Sequence, residues 1–380
     1  MDMQLESALS STWLPNNEVP LVLHVFPSFA VGGAQVRFAA LANRFGARWR
    51  HAVVALDGDA ACAARIGPEV PLTLLPPPDD SDCGVVRRLW RIRRMLRRMQ
   101  PDVLVTGNWG SMEWAVANRT LGIRHIHMED GFGPDEASTQ LRRRVLARRW
   151  SLRGSTVVLP SGSLMRMARE QWRLPPAGLR YIPNGVDLRR FRPDGPVAPI
   201  LVGGDGPLIG TVAALRPEKA LDRLLRACAL LMREGTAFRL AVVGDGPERG
   251  SLERLAAELD LSGRIVFTGA IPDPAAAYRA FDVFALSSGT EQMPFSVLEA
   301  MASGLPVAAT DVGDIRGMLA VENEPHVAAL DDGALAAGLR GLLVDRTHRQ
   351  VVGAANRQKA VAVFDQEAMF QAYADLLEGG

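Results

Sequence analysis

The stretch F-D-V-F-A-L-S-S-G-T-E-Q-M-P-F-S-V-L-E-A-M-A-S-G-L-P-V-A-A-T-D-V-G-D-I-R, from Phe281 to Arg316, decides the fold. Phe281 to Leu286 is a short apolar run suited to a buried parallel strand, and Ser287 to Gln292 interrupts it with small and polar residues. A helix is predicted from about Pro294. Proline suits a first helical position, Val297, Leu298 and Met301 supply an apolar face, and Gly304 then Pro306 end it. Glu291 therefore falls in the loop at the carboxyl end of a strand and Glu299 early in the next helix, where open α/β sheets bind ligands. Spacing alone leaves two readings open: two carboxylates at a binding mouth, or an exposed loop Glu beside a solvated helix Glu.

Outward from this stretch, the same alternation runs along the chain. Strand-like runs at 21–26, 51–56, 103–106, 124–128 and 156–159 are interleaved with helical ones at 34–44, 112–121 and 164–171. After a Pro-, Gly- and Asp-rich interval the pattern restarts at 209–213, 221–233, 239–243, 250–259, 265–268, 278–281, 283–286, 295–302 and 307–309. Repeated βα units imply parallel sheets covered by helices on both faces. The expected organisation is α/β: a flexible tail at 1–18, a doubly wound domain at 19–190, a linker at 191–207 and a second such domain at 208–363 facing the first across a cleft. A terminal helix over 364–380 has Phe364, Ala368, Met369, Ala372 and Leu376 at helical spacing and is expected to pack back on the first domain.

A chain of 380 residues with 48% hydrophobic content supports two ordinary cores. The net charge of +1 is unevenly shared: residues 1–200 carry 27 Arg against 18 acidic residues, and 201–380 carry 16 basic against 24 acidic. A basic first half suits an anionic acceptor or membrane surface, and lobes of opposite sign also attract each other. Cys62, Cys83 and Cys228 offer neither a disulfide framework nor zinc spacing, which fits a reducing compartment. The first twenty residues lack a signal-peptide pattern, and no uncharged run suits a membrane helix, so a cytoplasmic location is expected. Helix 85–99 sets Leu89, Ile92, Leu96 and Met99 in a stripe with Arg87, Arg88, Arg91, Arg94 and Arg98 around the other side. It reads either as an ordinary amphipathic helix or as a contact with anionic lipid at the inner face of the cytoplasmic membrane, and Trp90 favours the second.

Several motifs carry candidate chemistry. G-T-V-A-A-L-R-P-E-K at 210–219 presents Arg216 and Lys219 at a strand end, and Lys219 is one of only two lysines beside 41 arginines. A compact ammonium next to a forked guanidinium suits a diphosphate, although two surface cations starting a helix would look the same. Gly244, Gly246 and Gly250 miss the dinucleotide fingerprint by one residue, so a close-approach turn is the expected reading. Gly32 and Gly33 open a helix and leave amides free for an anionic group, or simply make a turn. His127 ends a strand beside Glu129, Asp130 and Gly131, and His125 shares its sheet face. Asp57-Gly58-Asp59 and Asp80-Ser81-Asp82 lie in loops with no evident third ligand, and no metal is expected.

In order, G-G-A-Q at 32–35, I-P-N-G-V-D at 182–187, V-A-A-L-R-P-E-K at 212–219, V-V-G-D-G-P-E at 242–248, F-T-G-A-I-P-D at 267–273 and the Glu-x7-Glu stretch at 291–313 resemble the retaining glycosyltransferases of family 4, which have the GT-B fold. Each motif is weak alone, and six in sequence are specific. The resemblance implies transfer of a hexose from a nucleotide-diphosphate sugar to a glycan or lipid-linked acceptor in surface polysaccharide or glycolipid biosynthesis. It implies no metal or cofactor, and same-face attack with the leaving diphosphate as base. It assigns Arg216 and Lys219 to the donor diphosphate, Glu299 to the ribose, and Glu291 to the reacting sugar. Backbone groups of the Met293, Pro294 and Phe295 segment would hold sugar hydroxyls and phosphate, Ile271 would lie by the base, Gly32 and Gly33 would approach donor and acceptor, and His127 would face the sugar. Departures are Gln292, Asp314 and Ala220, each at a position that is usually Gly. The alternatives are a nucleotide-sugar 2-epimerase of GT-B fold, argued against by the Arg-x-x-Lys and Glu-x7-Glu pairs, and a non-catalytic scaffold. An NAD-dependent oxidoreductase has the wrong glycine spacing, and nucleic-acid binding lacks a recognition module.

Overall fold

A computed structural model describes residues 18–78, 84–132, 136, 139–201, 203–271 and 273–379, so nearly all of the expected tail, the Asp80-Ser81-Asp82 triplet and Cys83 lie outside it. The chain forms two compact units, Met1–Ile182 with Tyr373–Gly380, and Pro183–Ala372.

The first unit holds seven parallel strands: β1 (Leu21–Phe26), β2 (Arg50–Ala55), β3 (Leu72–Leu75), β4 (Val103–Gly107), β5 (Arg124–Met128), β6 (Thr156–Leu159) and β7 (Leu179–Tyr181), in the order β3-β2-β1-β4-β5-β6-β7. All six residues of β1 are buried, because helices cover both faces and a parallel strand is then near-continuously apolar; the one polar member, His24, is bonded to His51 (3.1 Å). Phe38, Ala39 and Ala42 of the helix Gly33–Phe45 pack with Phe26, Phe29 and Val53 on one face. Ile92, Met95 and Leu96 of Val85–Met99, with Trp114, pack with Leu23, Val25, Val54 and Leu104 on the other. The terminal helix Gln366–Glu378 contributes Tyr373 onward to this unit, where Arg124 donates to the carbonyls of Leu376 and Leu377.

The second unit is a six-stranded parallel sheet of β8 (Leu208–Val212), β9 (Arg239–Val243), β10 (Ile265–Gly269), β11 (Val283–Leu286), β12 (Val307–Thr310) and β13 (Val327–Ala328), in the order β10-β9-β8-β11-β12-β13. The stretch expected as a linker belongs to this unit, since Phe191, Ala198 and Leu201 are buried in its core. Tyr278 ends the short helix Pro274–Tyr278, between β10 and β11. Pro294, expected at the first helical position, is instead the extended cap, and the helix Phe295–Ala302 begins one residue later. Two buried asparagines do the work of core hydrophobes here. Asn323 accepts from the Val307 amide (2.8 Å) and donates to its carbonyl (2.7 Å), and Asn356 donates to Asn323 (2.7 Å) and to the Leu305 carbonyl (3.0 Å). Together they tie the helix Arg346–Val363 to the start of β12.

Each sheet reverses its direction of growth once, between β1 and β4 in the first unit and between β8 and β11 in the second. Loops leaving the carboxyl ends of such neighbouring strands splay apart and open a crevice. Arg216 and Lys219 follow β8 and Glu291, Met293 and Pro294 follow β11, whereas His127 lies within β5, Glu299 on the helix Phe295–Ala302 and Ile271 after β10.

Candidate functional site

In the second unit, the loop after β8 is shaped from below by glycines. A Cβ on Gly244 would lie 1.9 Å from the Ala213 carbonyl oxygen, and one on Gly246 would lie 2.6 Å from that of Leu215. The two backbones are joined by bonds from Ala213 N to Val243 O, Leu215 N to Asp245 O and Glu248 N to Leu215 O, each 3.0 Å. The G-D-G segment is thus a brace for the 213–216 backbone, as a close-approach turn requires. Arg216 leaves this brace exposed, and a single turn, Pro217–Lys219, aims Lys219 back toward β11. Ala220 ends the turn at φ +45°, a left-handed conformation that favours glycine.

The loop after β11 is laced to that turn. Gly289 N donates to Glu218 O (2.9 Å), Ser287 Oγ to Lys219 O (3.0 Å), and Arg223 Nη1 to Ser287 O (2.6 Å). As a result Lys219 Nζ lies 2.6 Å from Glu291 Oε1, which also accepts from Ser288 Oγ at 2.8 Å. Thr310 Oγ1 donates to Ser288 O (2.7 Å), and Asp314 N donates to Gln292 O (3.0 Å). Gly313, at φ +58°, backs the same loop so closely that a Cβ would lie 2.2 Å from Glu291 O. Asn184 Nδ2 donates to Met293 O (2.9 Å), fixing the next residue of the loop and burying it.

Glu299 has different surroundings. From the first turns of Phe295–Ala302 its Oε2 accepts from the Tyr278 hydroxyl at 2.7 Å. Burial pushes its carboxyl up to about 7, Tyr278 and Arg190 pull it back, and Asp273 adds to the rise. The structure therefore brings Lys219, Glu291 and Ser288 together, with Arg216 at the base of the same turn. Glu299 is held separately on the following helix. Pro294 is buried, Phe295 is half-buried at the helix start, and half-buried Ile271 follows β10 and packs on the core.

In the first unit, Gly32 caps the helix Gly33–Phe45 in extended conformation, and Gln35 Nε2 reaches back to Ser28 O at 2.8 Å. The expectation that His127 offers its ring to a sugar is corrected. His127 is fully buried, bonded through Nδ1 to Thr106 Oγ1 (2.8 Å), with Nε2 3.6 Å from Glu129 Oε2. His125 shares Thr106 (2.8 Å) and bonds Ser155 (2.6 Å), and burial lowers its ring to about 3. Strand alternation turns both rings into one face of the sheet and away from the strand end. Beyond them Glu129 meets the fully buried Arg148 at 3.0 Å, and Arg148 also binds Glu136 at 3.2 Å amid Trp109, Phe132 and Trp172.

The side chains at the β1/β4 crevice are others. Asp130 is gripped by both guanidinium nitrogens of Arg37 at 2.7 and 2.9 Å, and its amide donates to Asn108 Oδ1 at 2.8 Å. Asn108 itself sits at φ +56°. These residues and Gln35 line a cavity of about 40 Å³ with Pro27, Phe38 and Tyr373. Sequence reasoning passed over Asp130 and Asn108. Their signal was a polar residue one or two positions beyond a strand end, Asn108 after β4 and Asp130 after β5. Asp57 and Asp59 accept from the amides of Asp59 and Ala61 (2.9 Å each), an ordinary turn. Among the described residues no cluster suits a metal ion.

Comparison with known proteins bears on this geometry. The pattern described as Glycosyltransferase Family 4 matches residues 31–190, and that of Glycosyl transferases group 1 matches residues 198–359. The chain is 30% identical over 285 residues to the GDP-mannose-dependent alpha-(1-6)-phosphatidylinositol monomannoside mannosyltransferase of Mycobacterium tuberculosis, covering 70% of this chain and 71% of that protein. Its fold matches that of Anabaena HepE in complex with UDP and glucose, with a TM-score of 0.77 at 17% identity over 95% of this chain and 100% of HepE. Sucrose-phosphate synthase from Thermosynechococcus elongatus matches with a TM-score of 0.77 at 21% identity over the same shares. Two family patterns in succession, a relative alike over most of both chains and two doubly wound sheets of the GT-B kind make this chain a glycosyltransferase of family 4.

Proposed function

We propose that the protein moves a hexose from a nucleotide-diphosphate sugar to a glycan or lipid-linked acceptor with retention of anomeric configuration, in glycolipid or surface polysaccharide synthesis. The observation that carries this reading is the contact of Lys219 with Glu291 (2.6 Å), with Arg216 at the base of the Lys219 turn, at the carboxyl ends of β8 and β11. Cleavage of the bond from anomeric carbon to phosphate oxygen leaves the electron pair on the diphosphate. The acceptor hydroxyl forms the new bond and gives its proton to that leaving group. Fixed cations beside the diphosphate stabilise this growing charge more in the transition state than in the ground state, so the rate arises there without a metal. Glu291 accepts hydroxyls of the hexose, and Glu299 those of the ribose.

A relative that uses GDP-mannose and a structural neighbour that holds UDP and glucose support a nucleoside-diphosphate hexose as donor. The acceptor's partner surface is the basic face of the first unit. Val85, Val86 and Trp90 are exposed on the helix Val85–Met99, and Leu146 and Trp150 on Arg142–Ser151. These two helices hold no acidic residue and twelve arginines, of which Arg148 is buried and Arg88 and Arg144 are paired with Glu113 and Glu136. Tryptophan among arginines suits the headgroup layer of an anionic membrane, which would hold the enzyme at the cytoplasmic surface where a lipid-linked acceptor resides. No helix among the described residues is long and apolar enough to cross a membrane. The test is a panel of nucleotide sugars including GDP-mannose and UDP-glucose. One donor raises the melting temperature by mass action and is turned over by the wild type and not by Glu291→Ala. No shift and no turnover with any donor would overturn the reading.

A further inference from the structure

We infer that Glu291 is the internal competitor of the spent nucleoside diphosphate for Lys219, and that closing their ion pair drives product release. This rests on the donor site proposed above. Glu291 Oε1 already holds Lys219 Nζ at 2.6 Å and Ser288 Oγ at 2.8 Å. The pair is shielded, with 27% and 11% of the two side chains exposed, so its attraction is stronger than between surface charges.

The carboxylate has little freedom to retreat. Its loop is bonded to the Lys219 turn through Gly289 and Ser287, to β12 through Thr310, and is backed by Gly313. A diphosphate that takes Lys219 therefore comes close to a second anion. While the hexose is attached, its hydroxyls donate to Glu291 and occupy the gap between the two anions. Once the hexose has gone to the acceptor, nothing separates carboxylate from phosphate except the ammonium they share. Like charges around one cation repel, and the return of Lys219 to Glu291 ejects the diphosphate. The same carboxylate thus tolerates donor and disfavours product.

Calorimetric titration of GDP and UDP into wild type, Glu291→Gln and Glu291→Ala tests this. Both variants are expected to bind the preferred nucleoside diphosphate about five- to tenfold more tightly than wild type, and the intact nucleotide sugar no more tightly. A gain of affinity is a result that a damaged fold does not produce. Equal or weaker diphosphate binding by both variants overturns the inference and leaves the donor site standing. A wild type that binds neither nucleotide overturns the donor site itself.

Discussion

Tyr278 donates its hydroxyl hydrogen to Glu299 across 2.7 Å from a ring that is fully buried in the second core. Burial outweighs this bond and raises the Glu299 carboxyl from 4.5 to about 7. A folded-state value above the unfolded one means that the native protein holds the proton between 4.5 and about 7. The stability contributed by Glu299 is complete below that window and is lost as the pH rises through it. The ionised form accepts two hydroxyls and the neutral form does so less well. Nucleoside diphosphate affinity is therefore expected to rise more steeply from about pH 6 to about pH 8 in the wild type than in Glu299→Gln, which keeps only the rise due to the ligand's own phosphate. Tyr278→Phe removes a bond that favours the ionised form, so it moves the affinity midpoint to higher pH. Titrations across that range check all three.

Gly313 presses on the Glu291 carbonyl at a positive φ. Gly313→Ala adds a Cβ where backbone already stands, and displaces the loop that presents Glu291. The expected result is a loss of about 1–3 kcal/mol in stability and at least roughly tenfold in turnover, since small misplacements of a positioned group cost that much or more. Denaturant unfolding and steady-state kinetics read the two effects.

Ala220 bears the opposite burden, a left-handed conformation on a residue that has a side chain. Ala220→Gly relieves it at the cost of extra freedom in the unfolded chain, so a net gain of about 0.5–1 kcal/mol is expected. The shift in denaturant midpoint at unchanged slope measures it.

Trp90 and Trp150 stand exposed on the two arginine-rich helices of the first unit. Replacing both by alanine is expected to reduce co-sedimentation with vesicles of phosphatidylglycerol and phosphatidylcholine by at least about threefold, with turnover of a soluble acceptor unchanged. Vesicles of phosphatidylcholine alone, or high salt, are expected to abolish binding of the wild type, since each basic residue near the surface adds about 1 kcal/mol that salt screens.

Much of the architecture could be read in advance because βα alternation leaves apolar runs of strand length, as at 156–159 and 283–286, separated by helical ones such as 221–233. The placement of Arg216, Lys219 and Glu291 followed from their position just beyond strand ends. Other features need the third dimension. Strand alternation puts His125 and His127 on one face, and nothing local says that helices close it. Asn323 and Asn356 look like surface residues by type, and their burial depends on partners 16 and 51 positions away. β3 and β7 are edge strands, each with only one buried residue, so neither shows the wholly apolar run that marks a central strand. Tyr278 adjoins the apolar run ending in Leu286, and only packing shows its hydroxyl aimed at Glu299.

The most direct measurement is calorimetric binding of GDP and UDP to wild type, Arg216→Ala and Lys219→Ala. Wild type is predicted to bind at least one of them, and each variant to bind it about tenfold to a hundredfold more weakly, the loss that one charge-assisted hydrogen bond represents. Unchanged affinity in both variants would contradict a diphosphate held by Arg216 and Lys219.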